Sequence, residues 1–376
     1  MKILLIGEYY SENLGDPLLC QSVERILAEG YPEAEIVPFD LSGRISVTEY
    51  YEPKTNPILD AVTKYVCDRY LYYRRAAICR AYDADKDRCL RVWYHLEELL
   101  RKNRFDLAVF AGGSLFMDYF AGVIHLMIRQ LALSGTRILF HACGMSTLDQ
   151  DGEYLLRQVL GSGKVVSISL RDSAERFRSM FPVNARVLET YDTALNCSRW
   201  FPKAGECRAE YGIGLIDRCP EQQLRLIREC MASGHSWMAF TNGSPYDQRY
   251  GENLLTEAGI PQENLKDYLM ERPRTTGELV RTVTGFEKII AFRMHGQITA
   301  ASFGIPSFGL AWDRKLTEFY EKLGFPQGCA ETVPSFSEIE EILAGYDAAV
   351  HDRALAQGEE SRRCLLEAVE RALKNK

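Results

Sequence analysis

Arg293 and His295 stand two residues apart in "FRMHGQITAASFGIPSFGLAWDRK", residues 292–315, where an apolar run gives way to small residues. The preceding "EKIIAF" has the continuous apolar character of a strand buried on both faces. Side chains alternate along a strand, so an extended continuation puts Arg293 and His295 on one face and Met294 on the other. Gly296 would let a ligand approach the backbone closely, and the helix expected there offers unpaired N–H groups and the positive end of its dipole. A guanidinium beside a helix terminus suits a phosphate or a carboxylate, and an imidazole next to them can move a proton. The plainer alternative is that His295 caps the helix and Arg293 pairs with a surface acid.

Other features sit at comparable places. Arg171 closes the run "VSISL", just before "DSAERFR". "AGGSLFMD", residues 111–118, puts Gly112, Gly113 and Ser114 at another strand end. "NLGD", residues 13–16, follows the first apolar run and supplies Asn13 and Asp16. Lys315 lies just past "GLAWD". Each has a bland reading: glycine pairs are routine at strand-to-helix turns, "NLGD" reads equally well as capping, and most lysines are solvated.

These residues need strands and helices to position them. "KILLIG" (2–7), "EAEIVPFD", "FDLAVFAGG" (105–113), "TRILFHACG" (136–144) and "VVSISLRD" (165–172) read as strands, with helical segments between. In "PLLCQSVERILAEG" Asp16 would be the N-cap, Pro17 the first helical residue and Gly30 the end. A polar break with Pro and Gly falls at 196–212, after which strands and helices alternate again, through "YGIGLI", "SWMAFTNG", "EKIIAFR" and "PSFGLAW". The reading is therefore α/β, two Rossmann-like doubly wound domains facing each other across a cleft. Residues 1–200 form the first, 205–330 the second, and 335–376 are C-terminal helices, the last crossing back to the first domain. "SEIE" at 337–340 reads as a capping box. An insertion, 44–104, is basic and aromatic; it reads as a helical pair with solvated arginines, or as a surface meeting a glycan or lipid-linked acceptor at a membrane face.

Composition excludes several classes. The 376 residues carry a net charge of −7, which argues against a nucleic-acid binder and requires any anion to be held by local cations. "MKILLIGEYY" is too short an apolar run for a signal peptide, and no segment has 18 uninterrupted apolar residues. Eleven cysteines, without a C-x-x-C pair, fit reduced thiols, so a cytoplasmic protein is expected. "NCS" and "NGS", at 196–198 and 242–244, carry no meaning without secretion. There is no dinucleotide fingerprint, nucleophile elbow or H-E-x-x-H. "GSGK" at 161–164 continues with Val165 where a P-loop needs Ser or Thr, and the six histidines are too dispersed for a metal site.

Taken in order, "NLGD", "GGSLFMD", "SLRDSAERF" and above all "RMHGQITAASFGIPSFGLAWDRK" resemble the polysaccharide pyruvyl transferase family, from Lys2 to about Gly324 without the insertion. Ala111 replaces the first glycine of a usual triple, Pro17 follows Asp16 where an acid is common, and "HACGMS" is a loose version of a glycine-rich turn. The resemblance implies a GT-B-like fold. It also implies transfer of the enolpyruvyl carbons of phosphoenolpyruvate to two hydroxyls of a sugar in a cell-surface glycan or exopolysaccharide, giving a cyclic ketal and phosphate. Arg293 and His295 would then lie at the donor site, with Arg171 a further contact and no metal or organic cofactor. Gly112, Gly113, Ser114, Asn13, Gly296 and Lys315 complete the substrate-binding candidates. Asp16, ahead of Asp118 and Asp192, would orient sugar hydroxyls. Partners would be phosphoenolpyruvate and a sugar or lipid-linked glycan, with peripheral contact at the inner membrane face and no nucleic acid. Two rivals remain: a GT-B glycosyltransferase using a nucleotide sugar, and a non-catalytic glycan-binding relative.

Overall fold

The computed structural model describes residues 1–52, 86–311 and 314–374, so most of the insertion read at 44–104 lies outside the described residues. The chain divides into two compact units. The first comprises Met1–Tyr10, Leu19–Tyr191 and Ser361–Lys376; the second comprises Ser11–Leu18 and Asp192–Glu360. The second unit thus includes the "NLGD" loop, 192–200 and the chain as far as Glu360, while the end of the last helix belongs to the first.

From Lys2 to Glu189 the elements run β1 (Lys2–Gly7), α1 (Gly15–Gly30), β2 (Glu35–Asp40), α2 (Lys86–Lys102), β3 (Leu107–Ala111), α3 (Asp118–Leu133), β4 (Arg137–Cys143), α4 (Gln150–Leu160), β5 (Val165–Leu170), α5 (Ala174–Met180) and β6 (Arg186–Glu189), all in the first unit except the start of α1. The strands are parallel in the order β2-β1-β3-β4-β5-β6. Helices on both faces explain why β1 and β3 are apolar throughout rather than alternating: Ile3 to Ile6 and Leu107 to Phe110 are all fully buried.

A 3₁₀ turn, Thr193–Arg199, precedes the second alternation: β7 (Ala209–Gly214), α6 (Pro220–Ser233), β8 (Trp237–Phe240), α7 (Pro245–Glu257), α8 (Leu265–Tyr268), α9 (Thr276–Val283), β9 (Phe286–Ala291), α10 (Met294–Ser302), β10 (Ser307–Leu310), α11 (Arg314–Lys322) and β11 (Cys329–Ala330). These strands are also parallel, in the order β11-β10-β9-β7-β8. Both sheets follow one winding rule: the first strand is central, the second lies on one side and the third on the other. The strand order therefore reverses between β1 and β3, and again between β7 and β9. Outside the carboxyl ends of the strands at such switch points, α/β sheets bind their ligands.

Helices α12 (Phe336–Ala344) and α13 (Ala348–Lys374) complete the chain. The capping box is Ser335 with Glu338, two residues earlier than "SEIE" suggests, because Phe336 then enters the core beside Ile339 and Leu343. Helix α1 likewise starts two residues early, at Gly15 rather than Pro17. Leu18 N donates to Leu14 O at 3.1 Å, which puts Asp16 inside the first turn rather than at the N-cap. Pro17 is still accommodated there, since first-turn N–H groups have no partner within the helix. No helix of the described residues is long and apolar enough to cross a membrane.

Candidate active site

Strand β9 stops at Ala291, so Arg293 and His295 do not share a strand face as the alternation argument has it. Arg293 is extended (φ −87°, ψ 129°) and serves as the N-cap residue of α10, without a side-chain cap, and His295 belongs to the first helical turn. The helix is held rigidly against the sheet by Gln297, which is fully buried. Its Nε2 donates to Ala291 O at 2.7 Å and Phe308 O at 2.9 Å, and its Oε1 accepts from Tyr320 Oη at 2.7 Å.

The Arg293 guanidinium grips Asp247, with Nε at 2.6 Å and Nη2 at 2.5 Å from Oδ2. Asp247 stands in the first turn of α7 and is 1% exposed, and its Oδ1 accepts from Asp217 N at 3.2 Å. Burial pushes the Asp247 carboxyl above its ordinary range, and the adjacent guanidinium pulls it back down. Arg293 is therefore paired, but with a buried acid that fixes its direction rather than with a surface acid. A guanidinium has five N–H donors, so the pair leaves it capacity for a second anion.

His295, 8% exposed, packs on Gly15. A methyl group at Gly15 would fall inside the imidazole, so the glycine of "NLGD" is a platform for the histidine of "RMHG". The same loop is anchored by Leu14 N donating to Asn242 O at 3.0 Å. Within it, Asn13 Nδ2 donates to Asp16 Oδ2 at 3.0 Å, and Asp16 N donates to Asn13 O at 3.0 Å. Gly296 is different: an added Cβ would meet Asn242 Oδ1 at 3.7 Å and Ala291 Cβ at 3.8 Å, ordinary contacts, so internal packing does not require a glycine there. Lys315 lies half-buried in the first turn of α11.

A second group gathers at the strand ends of the first unit. Gly112 (φ 53°) and Gly113 (φ 73°) occupy the left-handed region that favours glycine. They tie the loop after β3 to the end of β4, through Gly112 N to His141 O and Gly144 N to Gly113 O, both 2.8 Å. Arg171 is 7% exposed beside Asp172, with Nε 3.7 Å from Oδ2, and Met145 N donates to Asp172 Oδ1 at 2.9 Å. Asp172 lies so close to Gly144 that a Cβ there would collide with it. Ser114 belongs to the same loop as the two glycines.

The structure thus brings Asn13, Asp16, Arg293, His295, Gly296 and Lys315 into the second unit, and Gly112, Gly113, Ser114 and Arg171 into the first. Two carboxylates have local work: Asp118 Oδ1 accepts from Asp149 N at 2.8 Å, and Asp192 caps the 3₁₀ turn by accepting from Ala194 N at 2.9 Å. Asn196 and Asn242, of the two glycosylation-like triplets, are 3% and 2% exposed. Among the described residues no cluster of His, Cys, Asp and Glu could hold a metal ion. Sequence reasoning misses Asp247, Gly15 and Asp172. An acid in a first helical turn looks like any helix-dipole partner, so nothing local singles out Asp247.

Residues 13–314, well over half of the chain, match the family model described as polysaccharide pyruvyl transferase. No curated protein matches the chain. Among solved structures, a protein assigned as a UDP-N-acetylglucosamine 2-epimerase from Listeria monocytogenes is 13% identical with a TM-score of 0.60, over 100% of this chain and 97% of that one. The S. aureus MnaA–UDP structure is 10% identical with a TM-score of 0.58, over 99% and 97%. A UDP-glucosyltransferase from Polygonum tinctorium is 9% identical with a TM-score of 0.55, over 100% and 99%. At such identities the likeness shows the fold alone, which is GT-B-like. The family match spans "NLGD", the paired glycines, Arg171 and the Arg293–His295 corner, and with it the chain belongs to the polysaccharide pyruvyl transferase family, a family of transferases.

Proposed function

We propose that this protein moves the enolpyruvyl group of phosphoenolpyruvate onto two hydroxyls of a sugar, forming a pyruvate ketal and releasing phosphate. The observation that carries the reading is the corner at the end of β9, where Asp247 aims Arg293 next to His295 at a switch point, inside the family match. Phosphoenolpyruvate is a small, multiply negative donor, and the protein as a whole is acidic, with a net charge of −7. Only a locally cationic pocket attracts such a ligand. Arginine suits it because its planar fork binds phosphate and carboxylate bidentately.

In the proposed reaction the methylene carbon gains a proton and becomes a methyl group, leaving an oxocarbenium-like C2. One hydroxyl attacks C2, the C2–O bond to phosphate breaks, and the second hydroxyl closes the ring. Of the two hydroxyl protons, one balances the new methyl C–H bond and the other leaves on phosphate. The reaction as written consumes no cofactor. His295 handles one of these protons. Arg293 neutralises charge that builds on the departing phosphate. Asp16 orients an acceptor hydroxyl, and Asn13, Gly296 and Lys315, of the same unit as the Arg293–His295 corner, line the substrates. The acceptor on this reading is a glycan sugar or its lipid-linked precursor, met at the cytoplasmic side of the membrane.

The test is phosphate release from phosphoenolpyruvate across galactosyl, glucosyl and N-acetylmannosaminyl acceptors, with NMR detection of the ketal methyl group. Acceptor-dependent release, reduced by ~10²–10⁴-fold in His295→Ala, supports the proposal. Absence of release with every acceptor, together with glycosyl transfer from a nucleotide sugar, replaces it with the glycosyltransferase alternative.

A further inference from the structure

The loop after β8 holds a polar group that the reading above does not use. Asn242 is 2% exposed, and its Nδ2 is buried without a hydrogen-bond partner among the described residues. A buried amide N–H₂ that donates to nothing costs free energy that the rest of the fold must offset, and such groups mark places where an acceptor arrives from outside. The loop cannot carry this residue off to solvent. Asn242 O accepts from Leu14 N at 3.0 Å, Arg272 Nη1 donates to Gly243 O at 2.9 Å, and Gly243, at φ 103°, is pressed against Leu14 and Glu12 O.

The location names the acceptor. The amide oxygen of Asn242 lies 3.7 Å from where a Cβ on Gly296 would stand, so the amide abuts the first turn of α10. That turn presents N–H groups, follows Arg293 and contains His295. A donor beside that helix terminus and Arg293 suits a negatively charged oxygen. The terminal torsion of asparagine is broad, so a rotation of the amide is enough to bring Nδ2 to such an oxygen.

We infer that Asn242 is a substrate-contacting residue whose Nδ2 donates to a phosphate or carboxylate oxygen of the ligand bound at the Arg293–His295 corner. This rests on the reading that the corner takes phosphoenolpyruvate, and the experiment separates the two claims. Calorimetric titration with phosphoenolpyruvate, inorganic phosphate and UDP is carried out on the parent, Asn242→Ala and Asn242→Asp proteins, alongside thermal unfolding without ligand.

In Asn242→Ala the ligand-free protein should be at least as stable as the parent, because the unsatisfied donor is gone. Its affinity for phosphoenolpyruvate should fall ~10–100-fold, the usual effect of losing a hydrogen bond to a charged group. Asn242→Asp should lose more, since a carboxylate repels the anion. If the parent ignores phosphoenolpyruvate but binds phosphate or UDP with the same dependence on Asn242, the donor assignment falls and this contact stands. Equal affinities in parent and Asn242→Ala overturn the inference. So does a large loss of ligand-free stability in Asn242→Ala, which would assign the amide a purely internal role, and so does a parent that binds none of the three probes.

Discussion

At the scale of single residues, the proposed function rests on how two side chains are aimed. Asp247 binds Arg293 through Nε and Nη2, so replacing it with Asn keeps the shape and releases the guanidinium. Asp247→Asn should raise the KM for phosphoenolpyruvate ~10-fold with a smaller effect on kcat, and lower stability by no more than ~2 kcal/mol, as Arg293 is partly exposed. Steady-state kinetics and thermal unfolding measure both. Burial raises the Asp247 carboxyl above its ordinary value, so acid should protonate it, and slacken Arg293, at higher pH than for an exposed aspartate. The acid limb of a KM–pH profile should show this in the parent and vanish in Asp247→Asn. The two glycines of the corner separate packing from ligand approach. Gly15→Ala drives a methyl group into the His295 ring and should cost activity at least ~10²-fold. Gly296→Ala meets only ordinary contacts and should leave the melting temperature unchanged or higher, since Ala is favoured over Gly in a helix. A raised KM in that stable variant would mean that the donor approaches the backbone there.

At the scale of elements, the apolar runs that make the strands are visible in the sequence because parallel strands are buried on both faces. "KILLIG", "LAVFA" and "EKIIA" therefore need no tertiary knowledge to be read. The placement of Arg293 and His295 at the carboxyl end of a strand is legible for the same reason, as they follow such a run directly. Their partners are not. Asp247 and Gly15 come from other strand-to-helix connections, and no local pattern announces a contact so distant in sequence. The register of the cap before α12 was equally undetermined, since Ser335 and Ser337 each have a Glu three residues on, and only the burial of Phe336 decides. Ser335→Ala should accordingly destabilise by ~1 kcal/mol in thermal unfolding, while Ser337→Ala should be near neutral. The end of β2 gives a pH signature. Asp40 is fully buried, and its carboxyl is pushed up to about 6 by burial and by Glu8, against hydrogen bonds from Tyr10 N and Ser42 N. A raised native value means that the protonated form stabilises the fold. That contribution is complete below the unfolded value near 4 and is lost as pH rises through about 6. Unfolding across this window should show the loss in the parent and not in Asp40→Asn.

At the scale of the whole molecule, the family match and the two parallel sheets describe one chain organised as two doubly wound units. Helix α13 contributes to both, and its final stretch, Ser361–Lys376, completes the first unit. There Ser361 Oγ donates to Tyr191 O at 2.9 Å, and Leu365, Val369 and Ala372 are buried. Deleting that stretch should lower the unfolding temperature of the first unit by several degrees, since each large apolar side chain contributes ~1.5–3 kcal/mol. An unchanged calorimetric profile would mean the stretch is not part of that core. Within the second unit, the proposed donor site is a cationic corner at the end of β9 that would hold the three-carbon donor. Its most direct test is calorimetric titration of phosphoenolpyruvate into the parent and into Arg293→Ala. Saturable binding by the parent and a loss of ~10²-fold or more in the variant are expected. Equal binding by the two proteins, or a parent that binds UDP and not phosphoenolpyruvate, would contradict it.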